Sequence, residues 1–504
     1  MSENEVRRIR PLVVLGAAFL LAIIHQYLFF GAQPGISYPI FVTLFYVFIL
    51  YYAREQRRPF SWFSYLWLAA IGLLSLTYVL FQDMFFFGFN LLVIPILILL
   101  HMTYMLGADR LSWGEGKLIV KTLEHFLPQN FRHWATAFAQ LRSKQGGKIK
   151  DERKQVLIKV LIGLTISCPI LLVVVSLLSS ADGVFLHLVQ EFPNILGNLS
   201  LGEGFVRVMW VLLFGLGFFG FVWGFVDPKD YSWNARNPAL KQLNMETPEL
   251  PVFRIDPVIM ATILISINMV YVLFVFVQFS YLFGAWEGIL PTGSTYADYA
   301  RSGFFELVMV TGINFILLML CLLPSGEGQG LLRRITRVLL YILVACSGVM
   351  LYSAFTRLSL YEEAYGYTYT RFLVHAFMIF LGLLLGLAAL RIGSKKISLA
   401  KCYIVLGLVS YVVMNYICLD VIVANKNIER YVTSGKLDAD YLFTLSPQAI
   451  PTLIDFSRSQ NGILDNGLRR EWEVSQSSEK WQSFNVSRYR AEHELKEYFK
   501  AETK

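Results

Sequence analysis

The chain has 504 residues, of which 56% are hydrophobic, 15% aromatic and 16% charged, with a mean hydropathy of +0.53. Soluble domains carry about 25% charged and about 45–50% apolar residues, so these totals exclude an ordinary soluble domain and point to a bilayer protein. The net charge of +8 does not indicate nucleic acid, because the basic residues gather between apolar runs, which is a topology pattern.

The N-terminus, "MSENEVRRIRPLVVLGAAFLLAII", pairs a basic flank with an apolar run longer than a signal-peptide core and shows no small-residue cleavage site, so it reads as a retained first span. Eleven runs qualify as spans: 11–31, 35–53, 62–81, 85–106, 156–179, 204–226, 257–283, 304–323, 335–355, 372–392 and 399–424. A hydrocarbon core of about 30 Å needs about 20 helical residues. The runs lack the two-residue alternation of barrel strands. The expected fold is therefore an all-α, polytopic helical membrane protein with about eleven transmembrane helices. Its N-terminus is inside, and a small helical region follows outside at the C-terminus.

Orientation rests on Lys and Arg. With the N-terminus inside, the inner connections carry 27 of them and the outer connections before residue 425 carry three, Arg301, Arg357 and Arg371. The chain then divides into four parts: a four-helix membrane segment (1–106), a cytoplasmic amphipathic and basic loop (107–155), a seven-helix membrane core (156–424) and an extracytoplasmic helical tail (425–504).

In the inner loop, Ile119, Leu123 and Phe126, then Phe131, Trp134, Phe138 and Leu141, recur at helical spacing, and Pro128 is expected to split them into two short helices. These either lie on the inner leaflet with the basic residues toward anionic lipid or pack on the bundle as a hairpin. Outside, 179–196 reads as a short helix capped by Asp182. In the tail, Gly435 reads as the end of a helix begun near Asn427, Asp438 and Ser446 as N-caps, and 480–499 as a final amphipathic helix.

The polar residues at the outer ends carry the functional question. If the eighth span starts near Tyr296, then Asp298, Ser302, Glu306 and Asn314 share one stripe, with Arg301 one turn from Asp298. The seventh span has a matching stripe of Asn268, Tyr271 and Gln278. The connection 353–371 holds Arg357, Tyr361, Glu362, Glu363 and Arg371, with His375 a turn further in, and the eleventh span places Tyr416 and Asp420 on one face. Charge in a membrane segment is expected to face the bundle interior or water. Asp298, Arg301, Glu306, Arg357, Tyr361, Glu362, Arg371 and Asp420 are therefore the candidate binding residues. The bland readings are an aromatic belt for the tyrosines, an Arg–acid clamp for Arg301 with Asp298, and a satisfied bundle residue for His375, as for His25 and Gln26.

No catalytic residues are assigned. There is no P-loop, HExxH, GxSxG in context or dinucleotide fingerprint, and "GEGQG" (326–330) follows no strand. Cys168, Cys321, Cys346, Cys402 and Cys418 all lie in apolar runs without metal spacing. No metal and no cofactor are expected.

Four stretches, "LLSSAD" (177–182), "YADYARSGFFEL" (296–307), "RLSLYEEAYGYTYTR" (357–371) and "NKNIERYVTSGKLDADYLFTLSPQAIPTL" (425–453), resemble the bacterial multi-pass membrane proteins grouped as domain of unknown function 4173, related to group 4153. The resemblance implies an integral protein of the bacterial plasma membrane and carries no catalytic role. The leading expectation is a protein that binds and moves a polar or lipid-linked envelope molecule through an outward polar pocket. The alternatives are a scaffold or sensor that meets an envelope protein through its tail, and a membrane transferase or hydrolase using the outer carboxylates. The expected partners are membrane lipids and that molecule, with no nucleic acid.

Overall fold

A computed structural model describes residues 10–143, 201–228, 256–286, 304–322, 330–394, 396–475 and 480–502, and every regular element among them is helical. Eight of the helices are long and apolar enough to cross a membrane, and Ser37–Tyr52 and Leu307–Leu322 are shorter apolar stretches. The span expected at 156–179 and the helix expected at 179–196 lie outside the described residues. The chain forms two compact units, residues 1–231 with 477–486, and residues 232–476 with 487–504.

The first unit contains α1 (Pro11–Phe29), α2 (Ser37–Tyr52), α3 (Trp62–Leu80) and α4 (Met84–Leu106). Ser61 and Asp83 cap α3 and α4 by accepting from the Ser64 and Phe86 amides at 3.3 and 3.0 Å. A buried polar side chain in a bundle of this kind has no water to fall back on, so it must find a partner inside. Tyr46 and His101 meet at 2.9 Å, and Asn90 donates to Thr77 at 3.2 Å. Trp210, on α7 (Leu201–Val226), donates to Nδ1 of His25 at 2.9 Å. His25 is thus the satisfied bundle histidine expected of it.

Between α4 and α7 lie α5 (Lys117–Glu124), a π turn (His125–Gln129) and α6 (Asn130–Ser143). The expected break at Pro128 does not occur. Proline lacks an N–H and its ring crowds the carbonyl four residues back. The wider i→i+5 turn relieves that clash without ending the helix. The arm packs on α7 where that helix is thinnest: a Cβ on Gly220 would lie 2.1 Å from Oδ1 of Asn130, and one on Gly224 would lie 2.9 Å from the His125 ring.

Residues 480–485 complete the first unit as a strap over the turns that follow α1 and α3. Lys480 donates to the Gly31 carbonyl at 2.8 Å and Ser483 to that of Gln33 at 2.9 Å. The Ile36 amide donates to Phe484 at 3.1 Å, and Asn485 donates to the Tyr78 and Phe81 carbonyls at 2.9 and 2.7 Å. The final helix therefore starts later than expected, as α17 (Val486–Glu502), because 481–483 form a 3-10 turn spent on these contacts.

The second unit contains α8 (Pro257–Trp286), α9 (Phe304–Leu322), α10 (Leu331–Tyr365), α11 (Tyr369–Gly393) and α12 (Leu399–Tyr416). Leu264, Leu318, Leu343, Met350, Leu385 and Ala388 lie in the core that α8, α9, α10 and α11 share. At 35 residues, α10 is about 52 Å long at 1.5 Å per residue, well beyond a bilayer core of about 30 Å. The segment expected to be an outer connection from residue 356 onward is therefore mostly helix, ended by Gly366 at φ 91°. Charged side chains mark where a helix leaves lipid; they do not end its hydrogen bonding.

The span expected over 399–424 is two helices. Cys418 adopts φ −71°, ψ 77° and the Leu419 amide donates to the Ile417 carbonyl at 2.8 Å, which is an inverse γ-turn. A new helix, α13 (Leu419–Ser434), begins there, so Tyr416 and Asp420 do not share a helical face. Its end at Gly435, with φ 68°, is as expected.

The tail follows as α14 (Ala439–Leu442), a 3-10 turn (Pro447–Ala449), α15 (Ile450–Ser459), α16 (Asp465–Ser475) and α17. Asp438 caps α14 through the Tyr441 amide at 3.0 Å. Ala424, Leu442, Leu453, Leu464, Leu468 and Leu495 form its core. Asp465 anchors it by accepting from Ser457 at 2.8 Å and Tyr498 at 2.7 Å.

Candidate functional site

The second unit holds two polar clusters. The inner one joins the stripes read from the sequence on α8 and α9. Asn268 is buried and donates to the Leu339 carbonyl at 2.8 Å. Asn314, also buried, donates to Ser347 at 2.7 Å and hydrogen-bonds with Tyr271. These groups face the bundle interior, as a polar stripe among apolar helices must.

The outer cluster forms where α10, α11 and α13 end beside the start of the tail. Glu362 is buried, and its Oε2 lies 3.2 Å from Nδ1 of His375 on α11. Its other oxygen has no hydrogen-bond partner among the described residues. The second ring nitrogen of His375 lies 3.4 Å from both the Ser359 hydroxyl and the Phe355 carbonyl. His375, read from the sequence as a satisfied bundle residue, is therefore also the partner of the Glu362 carboxylate.

Tyr361 directly precedes Glu362 on α10, and Arg371 lies one turn before His375 on α11. The Arg371 guanidinium sits 4.4 Å above the Tyr361 ring, which stacks on Tyr365 at 4.8 Å. Arg371 also donates to the Gly366 carbonyl, which fixes its fork at the α10–α11 turn. A guanidinium carries five donors, so this one hydrogen bond leaves others for an anionic oxygen. Arg357 is half-buried one turn back on the Tyr361 side of α10, and Glu363 is exposed.

Asp420 is buried in the first turn of α13, where the helix dipole favours an acid, and accepts from Ser446 at 2.5 Å. Ser446 thus spends its hydroxyl on Asp420 and makes no side-chain cap for the following 3-10 turn. Tyr441 accepts from the Tyr369 amide at 2.8 Å. Burial, then the Asp420 carboxylate, push its phenol above the ordinary range, while the Tyr369 hydrogen bond and Arg371 pull the other way. Arg371 and Asp420 therefore both act on one tyrosine.

Of the candidate residues, Tyr361, Glu362, Arg371 and Asp420 come together at this end, with Arg357 a turn away. Asp298 and Arg301 lie outside the described residues, and Glu306 falls in the first turn of α9. Sequence reading missed Tyr441 and Ser446, whose roles depend on the tail folding back onto α13. Among the described residues no group of three or more His, Cys, Asp or Glu is placed to hold a metal ion.

These features define a multi-pass helical membrane protein with a polar, aromatic end to one of its bundles. The sequence profile described as "Domain of unknown function (DUF4153)" matches residues 68–456, and the chain belongs to that family. It is the second of the two groups that the sequence motifs resemble. Comparison with curated proteins and with solved structures finds no match.

Proposed function

We propose that the protein lies in the plasma membrane with its N-terminus inside and uses the outer ends of α10, α11 and α13 to bind, and move or pass on, a polar or lipid-linked envelope molecule. The observation that carries this reading is the Arg371 guanidinium held over Tyr361 beside the buried Glu362–His375 pair. An arginine fixed by a ring and a carbonyl is prepared to receive a phosphate or carboxylate. The buried Glu362 carboxylate, held by His375, adds a fixed hydrogen-bonding group beside that arginine. Arg301 and Arg357 would add to the anion-binding side, and Asp298, Glu306 and Asp420 to the charge balance. Arg371→Gln, Glu362→Gln and His375→Gln, each expressed at the parental level, are expected to change the profile of envelope lipids and lipid-linked intermediates. Unchanged profiles in all three reject the reading.

A second reading is a scaffold that acts through its tail. The strap formed by 480–485 favours it, because six hydrogen bonds tie this part of the tail to backbone at the ends of α1 and α3 and the turns that follow them. Deletion of residues 427–504 with activity retained rejects this reading.

A further inference from the structure

The arm formed by α5, the π turn and α6 is folded the wrong way out for a segment in water. Its buried side is largely polar: Thr122, His125, Gln129, Asn130 and His133 are at most 9% exposed, together with Leu118, Trp134 and Ala137. His125 meets the Phe221 carbonyl at 2.8 Å and stacks on Phe225 at 3.6 Å, and Asn130 fills the notch at Gly220. Its outer side is apolar: Ile119, Val120, Leu123, Phe126, Leu127 and Phe131 are each 41–63% exposed.

A third edge is charged. Lys117 and Lys121 are exposed there, with Lys121 held 3.4 Å from Asp109 and 3.1 Å from Glu124. The arm is too polar to cross a bilayer, since Lys117, Lys121, Glu124 and Arg132 fall within 16 residues of one another. Exposed to water, six large apolar side chains in one stripe would be a costly patch. A helix with apolar, charged and protein-facing sides in turn around its axis fits one place, the boundary between acyl chains and head groups.

We infer that this arm is an interfacial lipid anchor. Its six apolar side chains enter the acyl region of the leaflet that the Lys and Arg count assigns to the cytoplasm, and Lys117 and Lys121 lie level with the lipid phosphates. The charged edge, with Lys117 and Lys121 on it, suits the head-group layer and does not suit a buried interface with a second copy, where Lys121, Glu124 and Asp109 would lose water. On the inner side His125 bonds the Phe221 carbonyl of α7 and Asn130 seats against Gly220, so the arm is held by protein on one flank and by lipid on the other.

The test uses the full chain in native membranes, with a photocrosslinking benzoylphenylalanine at Leu123, at Phe126 or, as a control, at Lys121. Lipid adducts are expected at 123 and 126 and none at 121. Adducts to another protein, or to a second copy of this chain, overturn the inference. A second measurement covers a failure to crosslink. In inverted vesicles, a membrane-impermeant maleimide is expected to label Leu123→Cys many-fold more slowly than Lys121→Cys. Equal labelling rates place the stripe in water and overturn it as well. Neither experiment involves the outer cluster, so its outcome is separate from that of the proposed function.

Discussion

Asn427 on α13 hydrogen-bonds to both backbone groups of Tyr367, accepting from its amide at 3.2 Å and donating to its carbonyl at 2.8 Å. The side-chain amide thus stands in for a neighbouring peptide and fixes the turn between α10 and α11. Gly366 sits directly before it at φ 91°, with a Cβ position 3.1 Å from Oδ1 of Asn427 and 3.2 Å from the Arg430 guanidinium. Asn427→Ala is expected to cost about 2 kcal/mol, since each lost bond is worth about 1 kcal/mol. Asn427→Asp keeps the acceptor but turns a carboxylate oxygen toward the Tyr367 and Val423 carbonyls, and is expected to cost more than Asn427→Ala. Thermal unfolding in detergent and amide exchange at 366–369 check both costs, and equal effects of the two substitutions would argue against a two-sided bond.

The strap depends on a residue with no side chain. A Cβ on Gly35 would lie 2.5 Å from the Ser483 carbonyl carbon and 2.7 Å from the Phe484 oxygen, and both are backbone atoms with little room to move. Gly35→Val is expected to release 480–485 at a cost of about 1–3 kcal/mol, the usual range for overpacking. Protease cleavage within 480–486 is expected to rise sharply, while the turn after α3 becomes accessible through loss of the Asn485 bonds. Asn485→Leu should reproduce the second effect, with Gly35 intact.

The long apolar helices among the described residues were legible because lipid imposes a simple rule: about 20 apolar residues, with the edges set by where charge resumes. That rule fails where a helix runs on into water, which is why Arg357 to Glu363 read as a connection while they form the last turns of α10. The break at Cys418 carries neither Gly nor Pro; the available sign was Asp420, an acid that the helix dipole favours at a helix start and disfavours at a helix end. Pro128 misled in the other direction, because a π turn absorbed it. At the site, Tyr361, Glu362 and Arg371 were found by their charge and position. Tyr441 and Ser446 were not, since only the folding of the tail brings residues 441 and 446 to Asp420, and no local periodicity records a contact of that range.

Two glycines one turn apart set how closely the arm approaches α7. At Gly220 an added Cβ would meet the Asn130 carbonyl oxygen at 2.6 Å as well as its side chain, whereas at Gly224 it would meet only the edge of the His125 ring. Backbone yields less readily than a side chain, so Gly220→Ala is expected to lower the melting temperature more than Gly224→Ala. The Gly224 variant is expected to respond to His125→Ala as a second-site relief, by up to about 1–2 kcal/mol of coupling between the contacting residues. A purely additive double variant would show that the ring is free to move aside.

His125 makes the arm sensitive to acid. Burial holds its imidazole down to about 4 from the ordinary 6.5; the Phe221 hydrogen bond opposes this and His133 adds to it. Because the folded value is the lower one, the unfolded arm binds the proton more readily, and protonation favours unfolding. The neutral ring's contribution is complete above pH 6.5 and is lost as pH falls through that value toward 4. At pH 5 the loss relative to pH 7 is about 2 kcal/mol, at 1.36 kcal/mol per pH unit over the shifted range. Amide protection across 117–134, after correction for the intrinsic pH dependence of exchange, is expected to fall over this window. His125→Gln, which keeps a donor for the Phe221 carbonyl without a titrating group, is expected to flatten the dependence while leaving exchange in α13 unchanged. A parental arm whose exchange shows no more acid dependence than the glutamine variant would assign the sensitivity elsewhere.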